Sequence, residues 1–276
     1  MRRQTSDTLT TMSICFISDL HLGRDPAKTW AEPVTWLTPA EILTRLKRVL
    51  LSEQINLLVV GGDMIEHGDA ARIDEFVDLM KLIYVPTLVC FGNHDLTMPE
   101  SMPHWRKAIA RWPQATMADA MLPAGEFDVI ALNTHWIVDD QVRVDWTPGK
   151  PCWPAIIDGQ RAWLRETVSD SDRPALLVCH APVHMVAPGE APDGMTALRT
   201  RAYRDAIEAE LVRSGRGERV IGVLSGHIHL ASTVHGSAHS PRTLLTSAAL
   251  SESPCSVRLI RLVDGHLAIR NVSLES

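Results

Sequence analysis

Asn93, His94 and Asp95 follow Gly92 at the end of the apolar run Thr87 to Phe91. A β-branched-rich run that closes on glycine and three polar residues reads as a buried strand emptying into a site. Taken alone, the same residues read equally well as a turn carrying a chance histidine. Four more runs end in the same way. Residues 13–19 close on Asp19 with His21 two positions on, and residues 55–60 lead into Gly61-Gly62-Asp63. Residues 175–179 lead into His180, and residues 219–225 into Gly226-His227-Ile228-His229. If the first run stays extended, its period of two puts Asp19 and His21 on one side, where an oxygen and a nitrogen can grip one cation. Five apolar strands delivering Asp, His and Asn to one end of a sheet point to a shared site rather than to coincidence.

The elements that must position these residues are legible between them. Thr38-Pro39-Ala40-Glu41 has the form of a capping box with proline in the first turn, and it opens a helix. Ile42, Leu43, Leu46, Val49 and Leu50 give that helix an apolar stripe. Further helices are expected over 69–82, 101–111, 158–168 and 197–213. Strands are expected over 127–132, 243–248, 256–263 and 266–272, with Asp264-Gly265 as the hairpin turn between the last two. Unalternated apolar strands alternating with helices argue for a mostly parallel sheet with helices on its faces. Ligands bind such sheets beyond the carboxyl ends of the strands, where the polar residues fall. Two segments, 24–38 and 135–157, show no period and read as loops near the site; the second holds Trp136, Trp146 and Trp153, read as packing residues.

Composition narrows the function classes. The chain has 276 residues, 45% of them hydrophobic and 22% charged, with a formal net charge of −6. That length suits one well-buried domain over 13–276, with residues 1–12 expected to be disordered. A net acidic chain without a basic tract is a poor fit to polymeric nucleic acid, so phosphate affinity would have to come from a local site. No apolar run reaches the length of a membrane span, and Arg2 and Arg3 precede no apolar core of a secretory signal. The five cysteines have no metal or redox spacing, and Cys15, Cys90 and Cys179 lie inside apolar runs, which fits reduced thiols in a cytoplasmic protein.

The five strand ends, taken in order, resemble the signature of the calcineurin-like metallophosphoesterases: Asp-x-His, Gly-Asp, Gly-Asn-His-Asp, a lone His, and Gly-His-x-His. Within that superfamily the chain is most similar to the compact bacterial phosphodiesterases, including the class III cyclic-nucleotide enzymes. The resemblance implies an α/β fold, a four-layer αββα sandwich of two mixed β-sheets flanked by helices. It implies one metal ion held by Asp19, His21, Asp63 and His229, and a second held by Asp63, Asn93, His180 and His227. Such mixed donors suit Mn²⁺, Fe or Zn²⁺ better than Ca²⁺ or a soft metal. Two divalent cations about 3.5–4 Å apart can hold a bridging hydroxide that attacks phosphorus.

The resemblance also implies that His94 faces the substrate phosphate, donating to it or protonating the leaving oxygen. Asp95 is a candidate to orient His94, or a structural turn residue. His184 and His135 are candidates to face the substrate, and Arg24 is read as a surface residue. His67, His104, His235, His239 and His266 are read as solvated or structural. The expected reaction is hydrolysis of a small phosphodiester, of the cyclic-nucleotide or glycerophosphodiester class. Alternatives are a DNA exonuclease of the same superfamily, a general phosphomonoesterase, and a non-catalytic scaffold. Lipid-A-pathway pyrophosphatases typically have arginine where this chain has His94. The sequence leaves a homo-oligomer open.

Overall fold

The computed structural model describes residues 12–27, 32–138, 141–143, 152–183, 194–236 and 242–276. The first half runs Ser13–Ile17 (β1), Pro39–Ser52 (α1), Leu57–Val60 (β2), Ala70–Met80 (α2), Thr87–Val89 (β3), Ser101–Ile109 (α3), Ala115–Met117 (β4), Ala120–Ala124 (β5) and Phe127–Ala131 (β6). It continues with His135–Val138 (β7), Gln141–Arg143 (β8), Cys152–Ala155 (β9), Asp158–Ser169 (α4), Ala175–Val178 (β10) and Gly194–Arg213 (α5). The chain closes with Val220–Ser225 (β11), Ser232–Val234 (β12), Thr243–Thr246 (β13), Ser256–Val263 (β14) and His266–Ser273 (β15).

These strands form two six-stranded mixed sheets, ordered β15-β14-β1-β2-β3-β4 and β12-β13-β11-β10-β6-β5. Strands β1 to β4 are parallel in the first sheet, and β6, β10, β11 and β13 are parallel in the second. Period two then decides the layers. Ile14 and Phe16 of β1 and Val59 of β2 face Val129, Leu176, Val178 and Leu224 of the other sheet, making an inner apolar layer. The alternate residues Cys15, Ile17, Leu58 and Val60 pack outward against Leu46 of α1 and Phe76 of α2. Leu177 and Ile130 pack outward against Leu164 of α4 and Ile207 of α5. The result is an αββα sandwich. Cys15, Cys90, Cys179 and Cys255 are free and buried within it, and no helix among the described residues is long and apolar enough to cross a membrane.

The capping box at Thr38 forms, with Thr38 Oγ1 accepting from Glu41 N and Glu41 Oε2 accepting from Thr38 N. The hairpin at Asp264-Gly265 forms too, both residues having the positive φ that such a turn requires. Other expectations need correcting. Apolar runs do not say which strand pairs with which, so the single, mostly parallel sheet read from periodicity is two sheets, as the family resemblance implied. The segment 135–157 is not structureless: β7 is central to a three-stranded antiparallel sheet ordered β8-β7-β9. Strands β4 and β5 are short and only half-buried, too weakly patterned to be expected. The expected disorder of residues 1–12 falls, but for Met12, outside the described residues, as does His184.

Candidate metal centre

β1, β2 and β3 point their carboxyl ends the same way, and the chain leaving each one enters the site. β1 gives Asp19 and His21, β2 gives Asp63, and β3 gives Asn93 and His94. From the second sheet β10 gives His180, and β11 gives His227 and His229. The two sheets are tied at this edge by Nδ1 of His180, 2.8 Å from the carbonyl oxygen of Gly61. The expectation that Asp19 and His21 lie on an extended strand fails, because β1 ends at Ile17. Asp19, His21, Asp63, His227 and His229 all have left-handed φ, between 48° and 73°. Each such residue costs of order 1 kcal/mol, and non-glycine residues hold this conformation where surrounding structure enforces it, commonly at functional sites. Two glycines make the crowding possible. A Cβ on Gly92 would lie 2.1 Å from Asp63 Oδ1, and one on Gly226 would lie 1.9 Å from Ser18 Oγ.

Six of the candidate ligands form two trios of converging donors, Asp19, His21 and His229 on one side and Asp63, His180 and His227 on the other, and a third trio of His21, Asp63 and His94 links them. Asp63 Oδ2 lies 3.9 Å from His21 Nε2 and 3.2 Å from His180 Nε2, so one carboxylate oxygen faces both sides. Asn93 Oδ1 is 3.3 Å from His180 Nε2. On the first side, His21 Nε2 and His229 Nε2 are 3.3 Å apart, and His229 Nε2 is 3.5 Å from Asp19 Oδ1. Asp19 Oδ2 accepts from Ser18 Oγ at 2.5 Å, and the N–H of His227 is shared between Oδ2 (3.1 Å) and Oδ1 (3.2 Å), the oxygen nearer the histidines.

The donor set fits metal ions. The remaining ring nitrogen of His21 is 3.0 Å from Glu66 Oε2, and that of His229 is 3.1 Å from Glu252 Oε2, the latter an off-line approach rather than a linear hydrogen bond. In the tautomer that keeps each proton on the Nδ1 beside its glutamate, both Nε2 atoms present lone pairs to each other and to Asp19. That arrangement repels itself unless a cation lies between the donors, and a carboxylate behind a ligating histidine is the usual companion of such a cation.

Charge coupling is strong across the centre. Burial opposes ionisation of Asp63, but the charges of His180 and His94 outweigh it and hold its carboxyl well below the usual range. Burial works against the charged form of His180 as well, and the adjacent Asp63 overcomes it, raising His180 to about 9. His227 is pushed down to about 3, by burial first and then by the charge on His180.

His94 stands at the rim of this centre, half-buried, its ring centroid 4.7 Å from that of His21. Its Nδ1 is 3.0 Å from the carbonyl oxygen of Glu66 and 3.5 Å from Glu66 Oε2. A cleft of about 350 Å³ is lined by His21, Asp63, Asn93, His94, His227, Ile228 and His229.

Asp95 lies elsewhere than expected of a partner to His94. Its carboxylate accepts from the N–H groups of Asp63 (2.7 Å), Met64 (2.9 Å), Ile65 (3.2 Å) and Gly92 (2.8 Å), clasping the loop that carries Asp63. His135 sits on β7 beside Asp119 and Gln160 and outside the cleft, and burial lowers its pKa. Trp136 packs behind the ligands, 5.6 Å from the ring of His227. Arg24 is not a surface residue: its side chain is 3% exposed and lies 3.5 Å from Glu252. His67, His235 and His266 are exposed and His104 is half-buried near Asp74, while His239 falls outside the described residues. Glu66 and Glu252, both buried, were not singled out from the sequence. Glu66, three residues past Asp63, carried a faint signal as a charge beside a ligand; Glu252 carried none.

Residues 12–231 match the family model described as calcineurin-like phosphoesterase. A probable cyclic nucleotide phosphodiesterase of Synechococcus sp. is 27% identical over 224 residues, spanning 80% of this chain and 74% of that protein. Among solved structures, a dimetal phosphatase from Danio rerio superposes with a TM-score of 0.66 at 15% identity, covering 96% of both chains. A purple acid phosphatase from yellow lupin superposes with a TM-score of 0.62 at 12% identity, covering 97% of this chain and 52% of that one. At these identities the two structures speak to the fold.

Proposed function

Because the chain belongs to the calcineurin-like phosphoesterase family, and is thus a hydrolase of phosphoester bonds, we propose that it cleaves small phosphodiesters at this centre. The observation that carries the proposal is the place of Asp63 between the two trios, its Oδ2 3.9 Å from His21 and 3.2 Å from His180, with His94 at their rim. On this reading Asp19, His21, Asp63 and His229 hold one divalent cation, and Asp63, Asn93, His180 and His227 hold the other; Mn²⁺, Fe and Zn²⁺ are the candidates. When bound, such a pair supplies Lewis acidity toward a phosphoryl oxygen and activates water at neutral pH.

The rest falls to the chain's own groups. Glu66 fixes the His94 ring through Nδ1–H, so that the doubly protonated imidazole donates its Nε2–H to a phosphoryl oxygen or passes that proton to the departing oxygen and becomes neutral. The left-handed backbone at five ligands holds the donors in place before any substrate arrives. Among the described residues the cleft lining includes no Lys or Arg, which supports attraction for phosphate by the metal centre, one phosphate at a time. A polymer grip needs several cationic contacts along the backbone. The Synechococcus relative supports the diester class through its name as a probable cyclic nucleotide phosphodiesterase. Four free, buried thiols support a reducing compartment such as the cytoplasm.

The test is a comparison of kcat/KM for a cyclic nucleotide, a glycerophosphodiester, a phosphomonoester and a single-stranded oligonucleotide, at low and moderate salt. The small diesters are expected to lead. A lead for the oligonucleotide that collapses with added salt would move the protein to the nuclease branch, and a lead for the monoester would make it a phosphatase.

A further inference from the structure

The matched family region ends at residue 231, yet a later segment enters the metal centre. After β13 the chain crosses the ends of both sheets. Ser247 N donates to Ser225 O at the end of β11, Leu250 N to Ser18 O, and Ser251 N and Oγ to Asp19 O. The other edge of the segment meets the loop after His21, through Thr35 N to Ser251 O and Ser253 N to Pro33 O. This stitching brings Glu252, 2% exposed, behind the imidazole of His229. Glu252 Oε2 is 3.1 Å from His229 Nδ1 and accepts from Glu32 N at 3.2 Å. Glu252 Oε1 is 3.5 Å from Arg24 Nη2, and Arg24 Nη1 donates to Ser251 Oγ at 3.0 Å. A buried carboxylate close to Asp19 would be costly without a counter-charge, and Arg24 supplies it from the loop that carries Asp19 and His21.

We propose that Glu252, held by Arg24, is a positioning residue for His229 and sets the metal affinity of the Asp19–His21–His229 side of the centre. This rests on reading that trio as a metal site. A carboxylate behind the imidazole orients the ring and makes its other ring nitrogen a stronger donor to a cation. The other side of the centre differs: His180 is backed by the neutral carbonyl of Gly61. Loss of Glu252 should therefore weaken one ion and spare the other.

The experiment titrates the metal-stripped full chain with Co²⁺, following its visible bands, and with Mn²⁺, following the free ion by its paramagnetic resonance. The variants are Glu252→Gln, which keeps volume and an acceptor for Glu32 N, and the pair Arg24→Met with Glu252→Met, which removes both buried charges together. Thermal melts of the metal-free variants verify folding, and His229→Ala is the control. Weakening of one ion by about 10–100-fold in Glu252→Gln and in the double variant, with the second ion within about twofold of its original affinity and the Co²⁺ bands displaced, is the expected result. If both variants bind two ions as the parent does, while His229→Ala loses one, Glu252 has no such role and the proposal is overturned alone. If His229→Ala itself keeps both ions at full affinity, the reading of the trio as a metal site is overturned, and the proposal with it.

Discussion

His21 and His229 turn their Nε2 atoms toward each other at 3.3 Å, across a gap bordered by Asp19 Oδ1. With both Nδ1 atoms protonated, the Nε2 lone pairs and Asp19 Oδ1 converge on one point, where a cation would take all three. Removing metal with a chelator should therefore cost stability as well as turnover. A ligand present at a thousand times its dissociation constant stabilises the folded state by about 4 kcal/mol. The metal-stripped protein is expected to melt well below the Mn²⁺-reloaded one. Identical melting curves, with metal loss confirmed by elemental analysis, would contradict the assignment of these donors.

Asp63 reaches both trios through one carboxylate oxygen, whereas Asp19 touches one trio only. Asp63→Ala is expected to lose both ions, and Asp19→Ala chiefly one. Metal stoichiometry after gel filtration checks this. Two ions retained by Asp63→Ala would show that the trios do not depend on a shared bridge.

Which of these features could be read in the sequence follows from how local each one is. A strand end with its Asp or His is local, so the seven candidate ligands and His94 were visible as residues, and so was the capping box at Thr38. Sheet partnership is not local: β1 and β10 have similar apolar runs but lie in different sheets. The geometry within the Asp19 motif was misread because period two presumes extended backbone, whereas Asp19 and His21 have φ of 58° and 48°. Glu252 was invisible, since its meaning comes from contacts with Arg24 and His229 far away in the chain. For Asp95 the sequence left a structural role and an orienting role open, because the backbone N–H groups that decide between them are marked by no side-chain pattern.

The structural role of Asp95 gives a prediction of its own. Asp95 gathers four backbone N–H groups in a fully buried position. Burial and the charge of Asp63 push its pKa up to about 7, against the pull of those donors. Asp95→Ala leaves four donors without an acceptor, and each buried orphan costs about 1–3 kcal/mol. The variant should lose at least about 3 kcal/mol in denaturant unfolding of the metal-free protein. A variant of full stability whose only defect is turnover would return Asp95 to the role of orienting His94.

The raised pKa of His180 sets a pH dependence. In the metal-free protein His180 keeps its proton up to about pH 9, above the ordinary value of 6.5, because the pull of Asp63 exceeds the effect of burial. The stability this lends is complete below pH 6.5 and is lost as the pH rises through 9. A cation must displace the same proton, so its affinity should rise with pH, up to tenfold per unit, and level off above 9. The melting gap between metal-loaded and metal-free protein should widen from pH 6.5 to 9. Melts of both forms at three pH values decide it, and a constant gap would contradict the coupling of His180 to Asp63.

His94 can be separated from the ligands by what its loss leaves behind. Its backbone N–H donates to Asp63 Oδ1 at 2.8 Å, a bond that survives any change of side chain. The imidazole is fixed through Nδ1 on Glu66, and His94 lines the cleft. His94→Ala should therefore retain both metal ions while turnover falls by about 10²–10⁴-fold, the range for removing a general acid. The loss should depend on the leaving group. A p-nitrophenolate needs little help from a proton, whereas a sugar or glycerol alkoxide needs it in the transition state. The variant is expected to lose more activity on a glycerophosphodiester than on bis(p-nitrophenyl) phosphate. Equal losses on both would mean that His94 acts by gripping the phosphoryl oxygen alone, and loss of an ion would make it a part of the metal site.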